Sequence, residues 1–564
     1  MTNMHIERIG PGPRSPLATE VMVPMRDGVR LATDVYLPGG EVTPGPVILV
    51  RLPYDKNGLY TGQPAVAGYF TRHGYRVVVQ DVRGKFRSEG ERLLFVNEAE
   101  DGYDTIDWIV KQPWSDGVVG MWGDSYYGFT QWAAVSARHP ALRAISPRVT
   151  GTRLGELAEP IPGTHTREVE MAVHRLYPLT MFHERDMMLW EMDWAALPYH
   201  ETVEKYFEQA GSRSAAYDLW YPNPVRLRRF RNGSPFDGPA IPVLMTIGWW
   251  DNCAPWQWAD HEQLQRRPHW ALNEYLIIEA IDHEFNSHFE RPWRNGGARP
   301  TPEERGETLP RYLDPVLEFF DIFLRGNGKP ADIPRVRWQL ANSSPEYRTS
   351  ETWPPEGTTT LTLYPGGAAA ARGQGDGGTL APQRRAEEET AAWRHDPADP
   401  VPSLAPDPFA FLVFHPDERA LGDRPDVLAF TAEPVTEPLD LVGPVTLRTR
   451  VHADGPEVDV FARLFDVAPD GSAHRIARGQ LTVLAEGYDS DIEIDLGHLG
   501  YRLPAGHALR LMVAGSDAPE FVPFLGQAGN RWAQTMATAT TQSIKLGGES
   551  GTALKLSVYR GSES

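Results

Sequence analysis

Residues 118–130 read VVGMWGDSYYGFT: an apolar run, a Gly-Asp-Ser-Tyr-Tyr-Gly turn, then a stretch able to form a helix. A serine in a glycine-flanked turn between strand and helix is held clear of the sheet, within reach of a base, with helix amides aimed at a reacting carbonyl. The usual spacing puts a second glycine two residues after the serine. Here Tyr127 stands at that place and Gly128 follows. Taken alone, the stretch fits a nucleophile turn and an ordinary strand-to-helix turn equally well. A nucleophilic serine needs a histidine, an acid and an oxyanion hole, and the rest of the chain can be read for them.

Five segments read as buried strands, each ending at a polar residue: PVILV (46–50) before Arg51, RVVVQ (76–80) before Asp81, VVGMW (118–122) before the serine turn, IPVLMTIGWW (241–250) before Asp251, and YLIIEAI (275–281) before Asp282 and His283. Continuous apolar runs, rather than alternating ones, mark strands covered on both faces, as in a parallel sheet flanked by helices. EAEDGYDTIDWIVKQ (98–112), acidic at its start and carrying a lysine near its end, suits a connecting helix. In open α/β sheets active sites form beyond the carboxyl ends of the strands, and the candidate residues sit there.

Residues 151–235 break this rhythm with proline-interrupted helical stretches, an insertion naturally read as a helical cap over the site. The expected division is therefore a core of residues 1–150 and 236–342, a cap of 151–235, a Pro-, Gly- and Ala-rich linker or irregular excursion over 343–407, and a β-sandwich over 408–564. The last part shows short alternating stretches separated by turn residues, and APDGSA (468–473) reads as a hairpin turn.

At 564 residues the chain is too long for one core, and its 41% hydrophobic and 23% charged content is ordinary for a globular protein. A net charge of −20, spread along the chain, argues against nucleic acid or anionic membrane as partner. There is no apolar signal region near the N-terminus and no run of membrane-spanning length, so a cytoplasmic protein is expected. The single cysteine, Cys253, excludes a disulfide framework and a cysteine-based zinc site.

Ser125, Asp251 and His283 occur in the order Ser, Asp, His used by α/β-hydrolases. Ser125 would attack, His283 would take its proton and return one to the leaving group, and Asp251 would fix the imidazole tautomer. Asp282, read as a turn residue, and His288 are the nearest rivals. An oxyanion hole needs two donors. The amide of Tyr126 follows the nucleophile, and Tyr54 stands in the loop RLPYDK (51–56) after an early strand. From physics alone a Pro-Tyr turn with a packed aromatic is slightly the better reading of Tyr54, and Asp55 and Lys56 read as charges paired with each other and with other surface charges. The histidines of HEFNSH (283–288) are five apart, not the four that a zinc-binding helix requires, and no phosphate-loop pattern occurs. No metal or cofactor is expected.

The chain resembles the cocaine esterase family of serine hydrolases, related to X-Pro dipeptidyl peptidases, glutaryl acylases and α-amino acid ester hydrolases. The resemblance is carried by VMVPMRDGVRLATDVYLP (21–38), RLPYDK, QDVRGKFRSEGE (80–91), the run from AEDGYDTIDWI into GDSYYGFTQWAA, GWWD (248–251), the strand ending in His283, DPADPVPSL (396–404) and VGPVTLR (442–448). It spans nearly the whole length. It implies Ser125, Asp251 and His283 as triad, the Tyr54 hydroxyl and Tyr126 amide as oxyanion hole, and an α/β-hydrolase core with inserted helical cap and C-terminal jelly roll. The displaced glycine is the family's own form. One departure is that the strand before the histidine ends Glu279-Ala280-Ile281, where the family commonly has a Gly-Pro-Trp-like sequence.

The leading expectation is hydrolysis of a carboxylic ester through an acyl-Ser125 intermediate, on a small-molecule substrate and in a monomer or homodimer. Trp122, Tyr127, Trp249 and Trp250, with Tyr126, Trp132 and Trp256, are candidates for an aromatic pocket, about half of them expected as core. The alternative is an amidase, acylase or aminopeptidase. Binding a substrate ammonium would need carboxylates near the serine, with Glu156, Glu159, Glu168, Glu170, Glu184 and Asp186 as candidates. A non-catalytic sugar- or partner-binding protein is the remaining reading.

Overall fold

The computed structural model describes residues 4–40, 43–225, 227–284, 302–372, 377–404 and 416–561, with 302–307 described as backbone only. A ten-stranded sheet organises the first part. Its strands in chain order are β1 (Thr19–Pro24), β2 (Arg30–Tyr36), β3 (Gly45–Leu52), β4 (Arg76–Asp81), β5 (Ser115–Asp124), β6 (Leu142–Arg148), β7 (Val243–Gly248), β8 (Glu274–Glu279), β9 (Val336–Trp338) and β10 (Arg348–Ser350). In space they run β10-β9-β8-β7-β6-β5-β3-β4-β2-β1. From β4 across to β9 every pairing is parallel, and the edges are closed by antiparallel β2–β1 and β10.

The apolar runs explain this centre. Val47, Ile48, Leu49 and Val50 of β3 and Val77, Val78 and Val79 of β4 are fully buried, which requires helices on both faces. The helix Gln63–Arg72 links β3 to β4, Glu98–Ile109 links β4 to β5, and Ser125–Ala137 links β5 to β6. All five expected strands lie in this parallel block. The sequence reading passed over β6, LRAISPR, because it carries two arginines, a serine and a proline yet is buried at all but one position.

The insertion carries the helices Ala172–Thr180, with Pro178 inside it, Tyr199–Ala210 and Ala215–Asp218. It is held from two sides. Its strand Met187–Trp190 pairs with Ile6–Ile9 of the N-terminal arm, and Thr166–Arg167 pairs with Thr482–Val483 in the C-terminal part.

The stretch expected as linker or irregular excursion, 343–407, needs correction. It supplies β10 to the core sheet and three strands to the C-terminal sheets: Thr358–Gly366 pairs with Ala553–Tyr559, Gly378–Ala381 with Val427–Thr431, and Glu389–His395 with Thr540–Leu546. The Gly- and Ala-rich run 366–377 dominates the composition and hides the alternation of TTTLTL and ETAAWRH on either side. The expected boundary at 407/408 lies outside the described residues. The C-terminal part is a β-sheet-rich domain. Its APDGSA turn joins Glu457–Val467 to Ala473–Leu484 as a hairpin, with Gly471 at φ 83°.

Among the described residues no helix is long and apolar enough to cross a membrane.

Candidate active site

Strand β5 ends at Asp124, whose extended backbone (φ −109°, ψ 155°) precedes Ser125 at φ 51°, the first residue of the helix Ser125–Ala137. A left-handed serine is disfavoured by roughly 1–2 kcal/mol, so the surroundings must hold it. They do so by hydrogen bonding and by close packing. Thr150 Oγ1 donates to the Ser125 carbonyl at 2.6 Å. A Cβ on Gly123 would lie 2.2 Å from the Tyr127 ring, and one on Gly128 would lie 2.7 Å from Thr150 Cγ2. The residue three after the serine, on the helix face turned to the end of β6, therefore has no room for a side chain. This is why a glycine stands at position 128.

His283 follows β8 and Asp251 follows β7, so adjacent parallel strands deliver them side by side. The His283 Nδ1–H donates to Asp251 Oδ1 at 2.6 Å, with the Asp251 side chain buried and that of His283 9% exposed. Holding the proton on Nδ1 leaves the Nε2 lone pair free to accept one. Burial opposes the imidazolium, but the charge and hydrogen bond of Asp251, helped by Glu284 and Asp124, outweigh it, and the His283 pKa lies above its ordinary value. Asp282, the rival acid, accepts the Glu284 amide at 2.9 Å in the turn. His288 lies outside the described residues.

Asp251, Cys253 and His283 bring ligand-type atoms within 4.8 Å of one another. The donor set does not fit a metal well, because Nδ1 already serves Asp251 and the buried thiol of Cys253 is pushed far above its ordinary pKa, chiefly by burial.

Tyr54 is buried, and its hydroxyl meets the side chain of Ser125 and the hydroxyl of Tyr177. Its loop is held by charges that the sequence reading placed on the surface. Lys56 is fully buried, and its Nζ donates to Glu20 at 2.7 Å and Asp34 at 2.8 Å. Asp81 accepts the Lys56 amide at 2.8 Å, and Asp55 accepts the amides of Gly12 and Asn57 at 2.6 and 3.1 Å. Burial pushes the Asp81 carboxyl up to about 7.

The ring of Tyr126 is locked below the site. Its hydroxyl donates to Glu98 at 2.9 Å and accepts from the Phe95 amide at 2.9 Å, and the ring stacks on Phe95 with centroids 4.8 Å apart. Its amide lies in the first turn of the helix, where N–H groups have no intrahelical partner.

The family departure at Glu279 has a partner. Arg148, at the end of β6, lies between Asp124 (3.2 Å) and Glu279 (3.5 Å) and covers the Tyr312 ring at 4.1 Å. Tyr127 and Tyr312 donate to Asp124 at 2.8 and 2.7 Å, and Tyr347 donates to Glu279. A buried cation thus joins the end of the serine strand to the end of the histidine strand. Arg148→Met should cost about 3–5 kcal/mol of stability, since it strands two buried carboxylates. Denaturant unfolding monitored by tryptophan fluorescence measures it, and a loss below about 1 kcal/mol would show that the network is dispensable.

Most of the expected pocket aromatics make packing contacts. Trp122 is 1% exposed between Phe70, Tyr127 and Tyr312. Trp249 stacks on Trp258, and its Nε1 donates to the Gln339 carbonyl at 3.2 Å. Trp132 is buried against Phe236, and Tyr127 is committed to Asp124. Trp250 is half-buried, edge-on to Tyr501, and Trp256 is half-buried beside His174. Sequence reasoning missed Tyr177, Arg148 and Glu284. Glu284 accepts from Tyr60 at 2.7 Å, and its place directly after His283 was the one available signal.

A serine on a strained strand-to-helix turn, with Asp and His following the later parallel strands β7 and β8 in that order, fits a serine hydrolase of the α/β class. Residues 27–284 match the family model for X-Pro dipeptidyl-peptidase (S15 family), and residues 327–550 match the X-Pro dipeptidyl-peptidase C-terminal non-catalytic domain. The cocaine esterase of Rhodococcus sp. is 30% identical over 546 residues, covering 90% of this chain and 92% of that one. A putative serine esterase of Mycobacterium bovis is 24% identical, covering 90% of this chain and 91% of its own. An aminopeptidase from a Thaumarchaeota archaeon shares the fold, with a TM-score of 0.77 at 21% identity over 97% of this chain and 98% of that one. The chain belongs to the X-Pro dipeptidyl-peptidase/cocaine esterase family of serine hydrolases.

Proposed function

We propose that this chain hydrolyses carboxylic esters through an acyl-Ser125 intermediate. The observation that carries the reading is the Asp251–His283 bond at 2.6 Å, together with a Tyr54 hydroxyl that meets the Ser125 side chain. Ser125 Oγ attacks the ester carbonyl while His283 Nε2 takes its proton. The resulting imidazolium is stabilised by Asp251. The tetrahedral oxyanion is received by the Tyr54 hydroxyl and the Tyr126 amide. His283 then protonates the departing alkoxide, and a water activated by the same nitrogen releases the acid.

An ester is favoured over a substrate bearing a free ammonium group because four of the six candidate cap carboxylates are engaged by arginines. Glu156 meets Arg153 and Arg229, Glu168 meets Arg153, Glu170 meets Arg175, and Asp186 meets Arg8. A panel of p-nitrophenyl esters and matched p-nitroanilides, with and without a free α-amine, tests this. Esters without an amine should be the better substrates, and preferential cleavage of the free-amine anilides would overturn it.

The rate should fall with acidity along a single limb, because a protonated His283 cannot accept the serine proton. Its raised pKa places that limb above the ordinary histidine value of 6.5. A profile of kcat/KM against pH measures it, and a limb centred below the ordinary histidine value would contradict the Asp251 assignment.

A further inference from the structure

We propose that Tyr177, on the cap, is a positioning residue for the oxyanion hole: its hydroxyl donates to the Tyr54 hydroxyl and so leaves the single Tyr54 proton for the oxygen of the reacting carbonyl. The inference rests on the role given above to Tyr54.

Each phenol carries one O–H and can both donate and accept. The hydroxyls of Tyr54 and Tyr177 are in direct contact, so one of the two protons lies between them. If that proton belonged to Tyr54, the residue would have nothing to offer an oxyanion. If it belongs to Tyr177, Tyr54 becomes the middle of a chain, accepting from the cap and donating toward Ser125, whose side chain it already meets. Successive hydrogen bonds polarise one another, so a Tyr54 hydroxyl that accepts from Tyr177 is also a stronger donor.

The placement of Tyr177 supports a specific task. It lies on the helix Ala172–Thr180, inside the insertion and outside the sheet that carries the other site residues. Its ring lies nearly parallel to that of Tyr126, with centroids 6.4 Å apart and planes 15° apart. One cap residue therefore touches both the hydroxyl and the residue whose amide would form the hole. The start of its helix is tied to the C-terminal part, where the Ala172 amide donates to the Glu520 carbonyl at 2.9 Å. The direction of the Tyr54 proton is thus set by an element that belongs to neither the nucleophile strand nor the histidine strand.

A double-mutant cycle on an aryl ester tests this. Tyr177→Phe keeps the ring and its packing while removing the donor. It should lower kcat about tenfold with KM nearly unchanged, because the lost bond matters only when charge develops. In a Tyr54→Phe background the same change should cost nothing, since there is no hydroxyl left to orient. An equal loss in both backgrounds, or no loss in either, would overturn the proposal. If Tyr54→Phe alone leaves kcat unchanged, it is the oxyanion assignment that fails. Affinity for a trifluoromethyl ketone, whose hemiketal places an oxyanion in the hole, gives a readout independent of the fraction of folded enzyme. Its Ki should rise by the factor by which kcat/KM falls, and an unchanged Ki would also overturn the proposal.

Discussion

Ser125→Ala should lower kcat by roughly 10⁶-fold and abolish labelling by a fluorophosphonate. The size follows from what the residue would do, because without Oγ no acyl-enzyme forms, and the histidine has no proton to accept. The residual rate, some 10³–10⁴-fold above water, would come from the oxyanion hole acting on a directly attacking water. The substitution should leave the fold intact. The turn is held by the Thr150 contact to the Ser125 carbonyl and by the space at Gly123 and Gly128, none of which involves Oγ. Alanine retains the φ of 51° at a similar cost to serine. Labelling that survives in the variant would move the nucleophile elsewhere.

Asp251→Asn should lower kcat by about 10⁴-fold, although it changes one atom. The carboxylate accepts the Nδ1 proton, whereas an amide can turn its NH₂ toward the ring. Histidine would then carry its proton on Nε2 and present a donor to Ser125 where an acceptor is needed. The pH dependence provides a second readout. Asp251 is the main contribution raising the His283 pKa, so its neutral replacement should move the acid limb downward. The sign is definite, because burial, the largest influence on the ring, opposes its charge and would be left without its chief counterweight. A variant with near-normal kcat would show that another acid, such as Asp124, orients the ring.

The sheet was legible because each of its central parallel strands is covered on both faces and writes a continuous apolar run. Strand β6 was not, because its buried polar character is met from outside the strand: the Arg148 guanidinium by Asp124 and Glu279, and the Ser146 backbone amide by the side-chain oxygen of Gln131. The same reason hid Lys56, whose burial depends on Glu20 and Asp34 arriving from β1 and β2. The strands within 343–407 were obscured by averaging over a glycine-rich run, and the partners of Thr358–Gly366 and Glu389–His395 lie more than a hundred residues further on.

The sequence by itself determined the parallel core, the order of Ser125, Asp251 and His283, and the position of each after an apolar run. These follow from local patterning and from the rule that strand ends carry the chemistry. The tertiary structure decided what depends on close approach and on charge pairing across the chain. It showed why position 128 must be glycine, through Thr150, and that Trp122 and Trp249 pack. It also brought Tyr177 from the cap against Tyr54. Periodicity reports burial of one element against a generic neighbour, whereas a hydrogen bond between residues 123 positions apart is specified only when both elements are in place.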